Sequence, residues 1–305
     1  MTLMESVNRA AHDDSSPAAT VADHSTWPAF IVGCHRSGTT LLRYLLDAHP
    51  ALACPPESKF LAAFGDVLTY PQAMRGLLSL GIGPDRLLAD LRRMIEAFFQ
   101  EYAARHGKRR WIDKTPNYVR LLPFLDALFS HEVLFLLMIR HPLDTADSLA
   151  NVPAFNLDEP EDPDIAASVE RHGLDRAAWV RHWVDTADTL AWFGAHTPAR
   201  TQFVRYEALV MEPARTLEEV LGFLGEARSH EVIADLIDGA FTRRHPPGYE
   251  DAKIRDSHAI HQASIGKWTH WPTAEVDRLW AIAADVAGLM GYASPWTESE
   301  IYGVA

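Results

Sequence analysis

Two short stretches carry residues able to bind and move an anion. Gly33-Cys-His-Arg-Ser-Gly-Thr-Thr40 has the G-x-x-x-x-G spacing of a phosphate loop. In such loops successive backbone N–H groups and the start of the next helix surround phosphate oxygens. Nucleoside-triphosphate loops place a lysine after the second glycine to neutralise the β- and γ-phosphates, but here that residue is Thr39. Thr40 keeps a hydroxyl suited to Mg²⁺. The cation inside the loop is Arg36, ahead of the second glycine, and its planar fork suits a terminal tetrahedral anion. A turn that merely joins a strand to a helix is the alternative.

The second stretch is Phe135-Leu-Leu-Met-Ile-Arg140-His-Pro-Leu-Asp-Thr-Ala-Asp-Ser148. An apolar strand delivers Arg140 to its carboxyl end, and Ser148 follows eight residues later, inside the next helix. Such an Arg and Ser can converge on one phosphate. The competing arrangement is a salt bridge from Arg140 to Asp144. Two anion pockets on one sheet edge fit a nucleotide phosphorylated at both ends.

The elements behind these residues follow from hydrophobic patterning. Residues 28–33, 110–113, 132–139 and 201–205 read as strands, the third apolar on both faces as in the middle of a parallel sheet. Leu41, Leu42, Leu45 and Leu46 recur at helical spacing before the stop at Pro50. Further helices are expected over 60–106, 117–130, 143–152, 174–195, 213–224, 229–240 and 274–290. Residues 153–164, with five acids and three prolines, read as an exposed loop, and 243–266 as a polar connection. Alternating strands and helices predict an α/β fold: one domain with a P-loop-type central parallel sheet and helices on both faces. Ligands of such sheets sit beyond the carboxyl ends of the strands, where both stretches fall.

Composition narrows the function classes. The chain has 305 residues, 48% hydrophobic, 23% charged and 10% aromatic, an ordinary globular profile. Its net charge of −13 disfavours a general nucleic-acid binder, so any anion must be held by a local site. Cys34 and Cys54 form no disulfide framework or metal motif. The aliphatic run Val133–Ile139 is too short for a bilayer. Residues 1–26 lack a secretory apolar segment and read as a mobile leader. These features predict a reduced, cytoplasmic protein with no stable membrane insertion.

At these residues the sequence resembles the sulfotransferases that use 3′-phosphoadenosine 5′-phosphosulfate (PAPS). Gly33-x-x-Arg-Ser-Gly-Thr-Thr-Leu41 is similar to their 5′-phosphosulfate loop, and Arg140 with Ser148 to their 3′-phosphate pair. The run from Arg36 to Pro50 looks closest to the tyrosylprotein-sulfotransferase-like branch, which includes many bacterial enzymes. The resemblance implies a 27–305 domain of that type, with the 60–106 helices inserted to roof the acceptor cleft. It also implies that Glu57, in Pro55-Pro-Glu-Ser-Lys59, is the catalytic glutamate and that Lys114, in Asp113-Lys-Thr-Pro116, follows the second strand as a catalytic lysine. Tyr206 would approach the adenine, and Lys267, in Ser264-Ile-Gly-Lys-Trp268, would contact a phosphate. Ser257, beside His258, is a possible addition near the sulfuryl group.

The phenol and steroid branch uses Lys-x-His, but here the third position is Pro116, which accepts no proton. A base must come from elsewhere, and Glu57 is the available carboxylate. A solvated loop acid at 57 and an exposed strand-end lysine paired with Asp113 remain the bland alternatives. The implied reaction is in-line transfer of a sulfuryl group from PAPS to an acceptor hydroxyl, leaving adenosine 3′,5′-bisphosphate. Arg36, Lys114 and the amides of Ser37, Gly38, Thr39 and Thr40 would replace any metal. The acceptor class stays open among small molecules, lipids, glycans and peptides. A P-loop kinase or hydrolase using Mg·ATP and a non-catalytic nucleotide-binding scaffold are the competing functions.

Overall fold

Along β1 (Ala29–Gly33), Ala29 and Ile31 enter one hydrophobic core while Phe30 and Val32 enter another. In β4 (Leu134–Ile139), Leu134, Leu136 and Met138 join the first core and Phe135 and Leu137 the second. That alternation is the two-residue period of a strand buried on both faces. It explains why both segments read as continuous apolar runs.

The computed structural model describes residues 26–155, 157, 160–197, 201–242, 254 and 256–297. The expected leader therefore lies almost wholly outside the described residues, as does most of the first half of the polar 243–266 stretch. With β2 (Leu52–Ala53), β3 (Arg110–Lys114) and β5 (Thr201–Arg205), the strands form one parallel sheet in the order β2-β3-β1-β4-β5. The helices, in chain order, are α1 (Thr39–Asp47), α2 (Phe60–Thr69), α3 (Pro71–Ser79), α4 (Pro84–Arg105), α5 (Leu122–Leu128) and α6 (Pro142–Ala150). They continue with α7 (Pro163–His172), α8 (Arg176–His196), α9 (Tyr206–Met211), α10 (Pro213–Leu224), α11 (His230–Gly239) and α12 (Thr273–Leu289). Helices α1, α10 and α11 cover the first core, and α4, α5 and α8 the second. The α/β fold expected from the alternation is the one observed.

Two expectations need correction, and one element, the two-residue β2, gave no periodic signal. The 117–130 helix is split into a tight 3₁₀ stretch, Pro116–Leu121, and α5. The acidic 153–164 loop ends early, because Asp162 accepts the N–H groups of Asp164 and Ile165 and starts α7, with Pro163 in its first turn.

Register carries the site. Gly33 pairs with Met138, Ile139 with Arg205, and Ile31 with Lys114. The carboxyl ends of β1, β3, β4 and β5 therefore form one edge, with the phosphate loop, Lys114, Arg140 and Tyr206 upon it. The chain turns from the β2–β3 side of β1 to the β4–β5 side, which makes this edge the crevice of the sheet.

Candidate active site

The loop after β1 closes when Ser37 N–H donates to the Cys34 carbonyl at 3.1 Å. Arg36 has φ 68° and Gly38 φ 95°, both left-handed. Gly38 is required there twice over, since the Tyr206 ring also occupies the space a Cβ would fill. Gly38 caps α1 with no side chain bonded to the first amides, so the positive end of the helix faces the loop. Ser37 Oγ is buried without a hydrogen-bond partner. An orphaned hydroxyl beside free amides is a donor set that fits a phosphate.

Arg36 Nε donates to Ser148 Oγ at 3.1 Å. Arg140 Nη1 donates to the Arg36 carbonyl at 2.9 Å, and Nη2 donates to the Ser264 carbonyl. The Arg140 guanidinium lies over the Tyr206 ring, 4.8 Å from its centroid. Three residues predicted to hold the two ends of a nucleotide, and the tyrosine predicted to approach its adenine, thus meet in one contact group, with Arg36 facing Ser148. Asp144 instead accepts the backbone N–H groups of Gly266 at 2.9 Å and Lys267 at 2.8 Å. Burial pushes its carboxyl up to about 6, while Arg140 pulls the other way. The Lys267 backbone is thereby hung on the first turn of α6.

On the other side of the loop, Lys114 is completely buried. Its Nζ donates to Thr40 Oγ1 at 3.2 Å and to Glu57 Oε1 at 2.5 Å. Lys114 is therefore neither exposed nor paired with Asp113, and Glu57, 13% exposed in its side chain, is no free loop acid. Burial pushes the Lys114 ammonium down and Glu57 pulls it back up. Lys59 Nζ lies 3.6 Å from the second Glu57 oxygen and 3.4 Å from Asp162.

Residues 28–230 match the sulfotransferase family. This chain belongs to that family. Nodulation protein NoeE of Sinorhizobium fredii is 30% identical over 250 residues, covering 78% of this chain and 59% of NoeE, so this chain spans little more than half the length of that relative. Protein-tyrosine sulfotransferase 1 of Danio rerio is 26% identical over 283 residues, covering 86% of this chain and 71% of the other. The sulfotransferase domain of the Synechococcus olefin synthase superposes with a TM-score of 0.59 at 22% identity, covering 91% of this chain and 99% of that domain, a likeness of fold.

Ser257 and several aromatic side chains are less central. Ser257 is half-buried and closes a turn, its N–H donating to the Ile254 carbonyl at 3.0 Å. Phe60, Phe64 and Leu68 pack into the second core, with the Phe60 ring 5.8 Å from Phe99. Trp183 and Trp268 are structural: Trp183 donates to the Arg140 carbonyl at 2.8 Å, and Trp268 stacks on His141 at 5.4 Å. Cys34 is buried, and desolvation pushes its thiol up to about 12, consistent with a filler. Sequence reasoning missed Asp144, whose Asp-after-Arg spacing was visible but pointed to the wrong partner. It also missed Ser58, Asp113 and Tyr118, described below. Among the described residues, no group of three or more His, Cys, Asp or Glu is arranged to hold a metal, and no helix is long and apolar enough to cross a membrane.

Proposed function

We propose that this sulfotransferase uses PAPS as donor and moves its sulfuryl group to an acceptor hydroxyl, with Glu57 as general base. The observation that carries the reading is the Lys114 ammonium, which contacts Thr40 of the phosphate loop and Glu57 at once. It sets a carboxylate one lysine away from the loop, where a base for an attacking hydroxyl is needed. The same contact gives Thr40 a cationic partner of the protein's own, which favours metal-free chemistry over Mg·ATP.

When bound, the donor supplies an activated sulfuryl group on a phosphate leaving group. The amides of Gly38, Thr39 and Thr40, with the Ser37 hydroxyl, hold the 5′-phosphate; the Ser37 N–H, expected among them, is instead taken by the Cys34 carbonyl. Arg140 and Ser148 hold the 3′-phosphate, Tyr206 faces the adenine and Lys267 adds a phosphate contact. Arg36, bonded to Ser148, joins the two ends. Glu57 takes the acceptor proton, a role typically contributing about 10²- to 10⁴-fold. Lys114 and Arg36 offset the charge that develops during transfer. Ser257 adds a further contact near the sulfuryl group.

The acceptor is a small molecule, lipid, glycan or peptide with a hydroxyl; that α2 begins three residues after Glu57 supports the reading that the 60–106 helices roof its cleft. The buried free thiols Cys34 and Cys54 support a reducing, cytoplasmic setting. Calorimetry comparing adenosine 3′,5′-bisphosphate with Mg·ATP tests the donor site, and transfer of labelled sulfate from PAPS to a panel of hydroxylated acceptors tests the reaction. Binding of the bisphosphate and sulfated product are expected. Binding of Mg·ATP alone points to a kinase, and bisphosphate binding without product to a scaffold.

A further inference from the structure

Ser58 stands between Glu57 and Lys59, and Lys59 adopts a left-handed φ of 54°. The Ser58 hydroxyl turns inward. It donates to Asp113 Oδ2 at 2.7 Å and lies 3.0 Å from the Tyr118 hydroxyl. Tyr118 Oη in turn accepts the N–H of Leu61 at 3.2 Å. Asp113 is completely buried and immediately precedes Lys114 on β3.

Two adjacent residues of the 57–58 segment therefore cross to two adjacent residues of the strand, Glu57 to Lys114 and Ser58 to Asp113. Successive side chains of a strand leave it in opposite directions. Two rungs on opposite sides resist both sliding and rotation of the segment, which one ion pair cannot do. Lys59 sits between the Ser58 rung and the Leu61–Tyr118 bond, so both flanks hold a backbone conformation that costs a side-chain-bearing residue energy.

We propose that Ser58 and Asp113 are positioning residues of the sulfotransferase: their buried hydrogen bond fixes the direction from which the Glu57 carboxylate meets Lys114. The inference rests on the reading of Glu57 and Lys114 as reacting groups. Both act through Glu57 and Lys114, their neighbours in the chain. The charged or titratable groups bearing on Asp113 are Lys114, Glu57, Tyr118 and Cys54. Burial pushes the Asp113 carboxyl up to about 7, Glu57 adds to the rise, and the Ser58 bond and Lys114 oppose it. A carboxyl that keeps its proton into the neutral range does not compete with Glu57 for the lysine.

The test compares Ser58→Ala with Ser58→Thr, which keeps the hydroxyl, in the full chain. Turnover, affinity for adenosine 3′,5′-bisphosphate and acetic-anhydride labelling of Lys114, read by mass spectrometry, are measured together. Ser58→Ala is expected to lower turnover by at least about tenfold while the bisphosphate affinity stays within about twofold. Lys114 labelling should rise about fivefold as the segment loosens, and Ser58→Thr should restore both values. Labelling requires no turnover, so a wild-type chain that sulfates nothing would refute the proposed reaction and still leave labelling to decide the clasp. Equal Lys114 labelling in the two variants, or bisphosphate affinity falling in step with turnover, overturns the proposal.

Discussion

Arg36 and Arg140, 104 residues apart in the chain, meet in one hydrogen bond: Arg140 Nη1 donates to the Arg36 carbonyl at 2.9 Å. The bond follows from register, because Gly33 pairs with Met138 and both strands end at the same edge. It makes the two anion-binding stretches a single structure. On the proposed function, the loop assigned to one phosphate is braced by the arginine assigned to the other, and Arg36 returns the contact by bonding Ser148. A nucleotide charged at both ends would bind across this brace.

Arg140→Lys is therefore expected to weaken adenosine 3′,5′-bisphosphate binding although it keeps the charge. A lysine cannot bond the Arg36 and Ser264 carbonyls together while stacking on Tyr206. Loss of the charge-assisted fork corresponds to about 10- to 100-fold in the dissociation constant. Calorimetry checks it, and an unchanged constant would show that Arg140 supplies charge alone.

Asp144→Asn should loosen the late segment. The carboxylate accepts two backbone N–H groups, from Gly266 and Lys267. An amide offers one acceptor and turns a donor toward the second N–H, leaving it unsatisfied. Bisphosphate affinity is expected to fall about tenfold, with faster proteolytic cutting ahead of Trp268. Wild-type cutting rates together with wild-type affinity would show that this carboxylate does not hold the late segment in place.

The elements that were legible in the sequence are those whose signals are local. The phosphate loop announces itself through two glycines between an apolar strand and a leucine-striped helix, and β4 through a run buried on both faces. The start of α7 was also written locally, as Asp162-Pro163, but the surrounding acids masked it as loop. Contacts made through the fold were not legible. Ser58 reaches Asp113 across 55 residues, and neither residue type at that spacing signals the pairing. Glu57 and Lys114 could be named from resemblance, yet their mutual ion pair depends on how β3 lies beside β1.

Asp113→Asn should stabilise the protein increasingly as pH rises. Burial raises Asp113 to about 7, whereas in the unfolded chain it titrates near about 3.9. Between these values the folded state holds the extra proton, so stability falls as pH rises through that window and the penalty is complete above it. The full shift corresponds to as much as about 4 kcal/mol. Asp144, raised to about 6, acts in the same direction. His141 and His182, held down to about 3 by burial, act oppositely and weaken the fold as pH drops below about 6.5. Thermal melts at pH 5 and pH 8 should show the variant's advantage over wild type growing by several degrees. An advantage independent of pH would mean that Asp113 is ionised throughout.

Glu57→Gln separates chemistry from structure better than Glu57→Ala. Deleting the carboxylate would leave the buried Lys114 ammonium without its ion-pair partner, at a cost of about 3–5 kcal/mol or loss of the lysine's proton. Glutamine still offers Oε1 to Nζ but cannot take a proton from the acceptor. Its turnover is expected to fall about 10²- to 10⁴-fold while bisphosphate affinity stays near wild type, and its melting temperature should fall less than that of Glu57→Ala because the hydrogen bond to Nζ survives. Glu57→Ala should lose turnover to the same extent and also melt lower. Lys114→Met fills the buried space without charge, and it should slow the reaction by at least about tenfold. Because the two side chains act as one unit, the Glu57→Gln/Lys114→Met double variant should be little slower than the slower single variant. Fully additive losses would place the two residues in separate steps, and near-normal turnover of Glu57→Gln would end the case for Glu57 as the base.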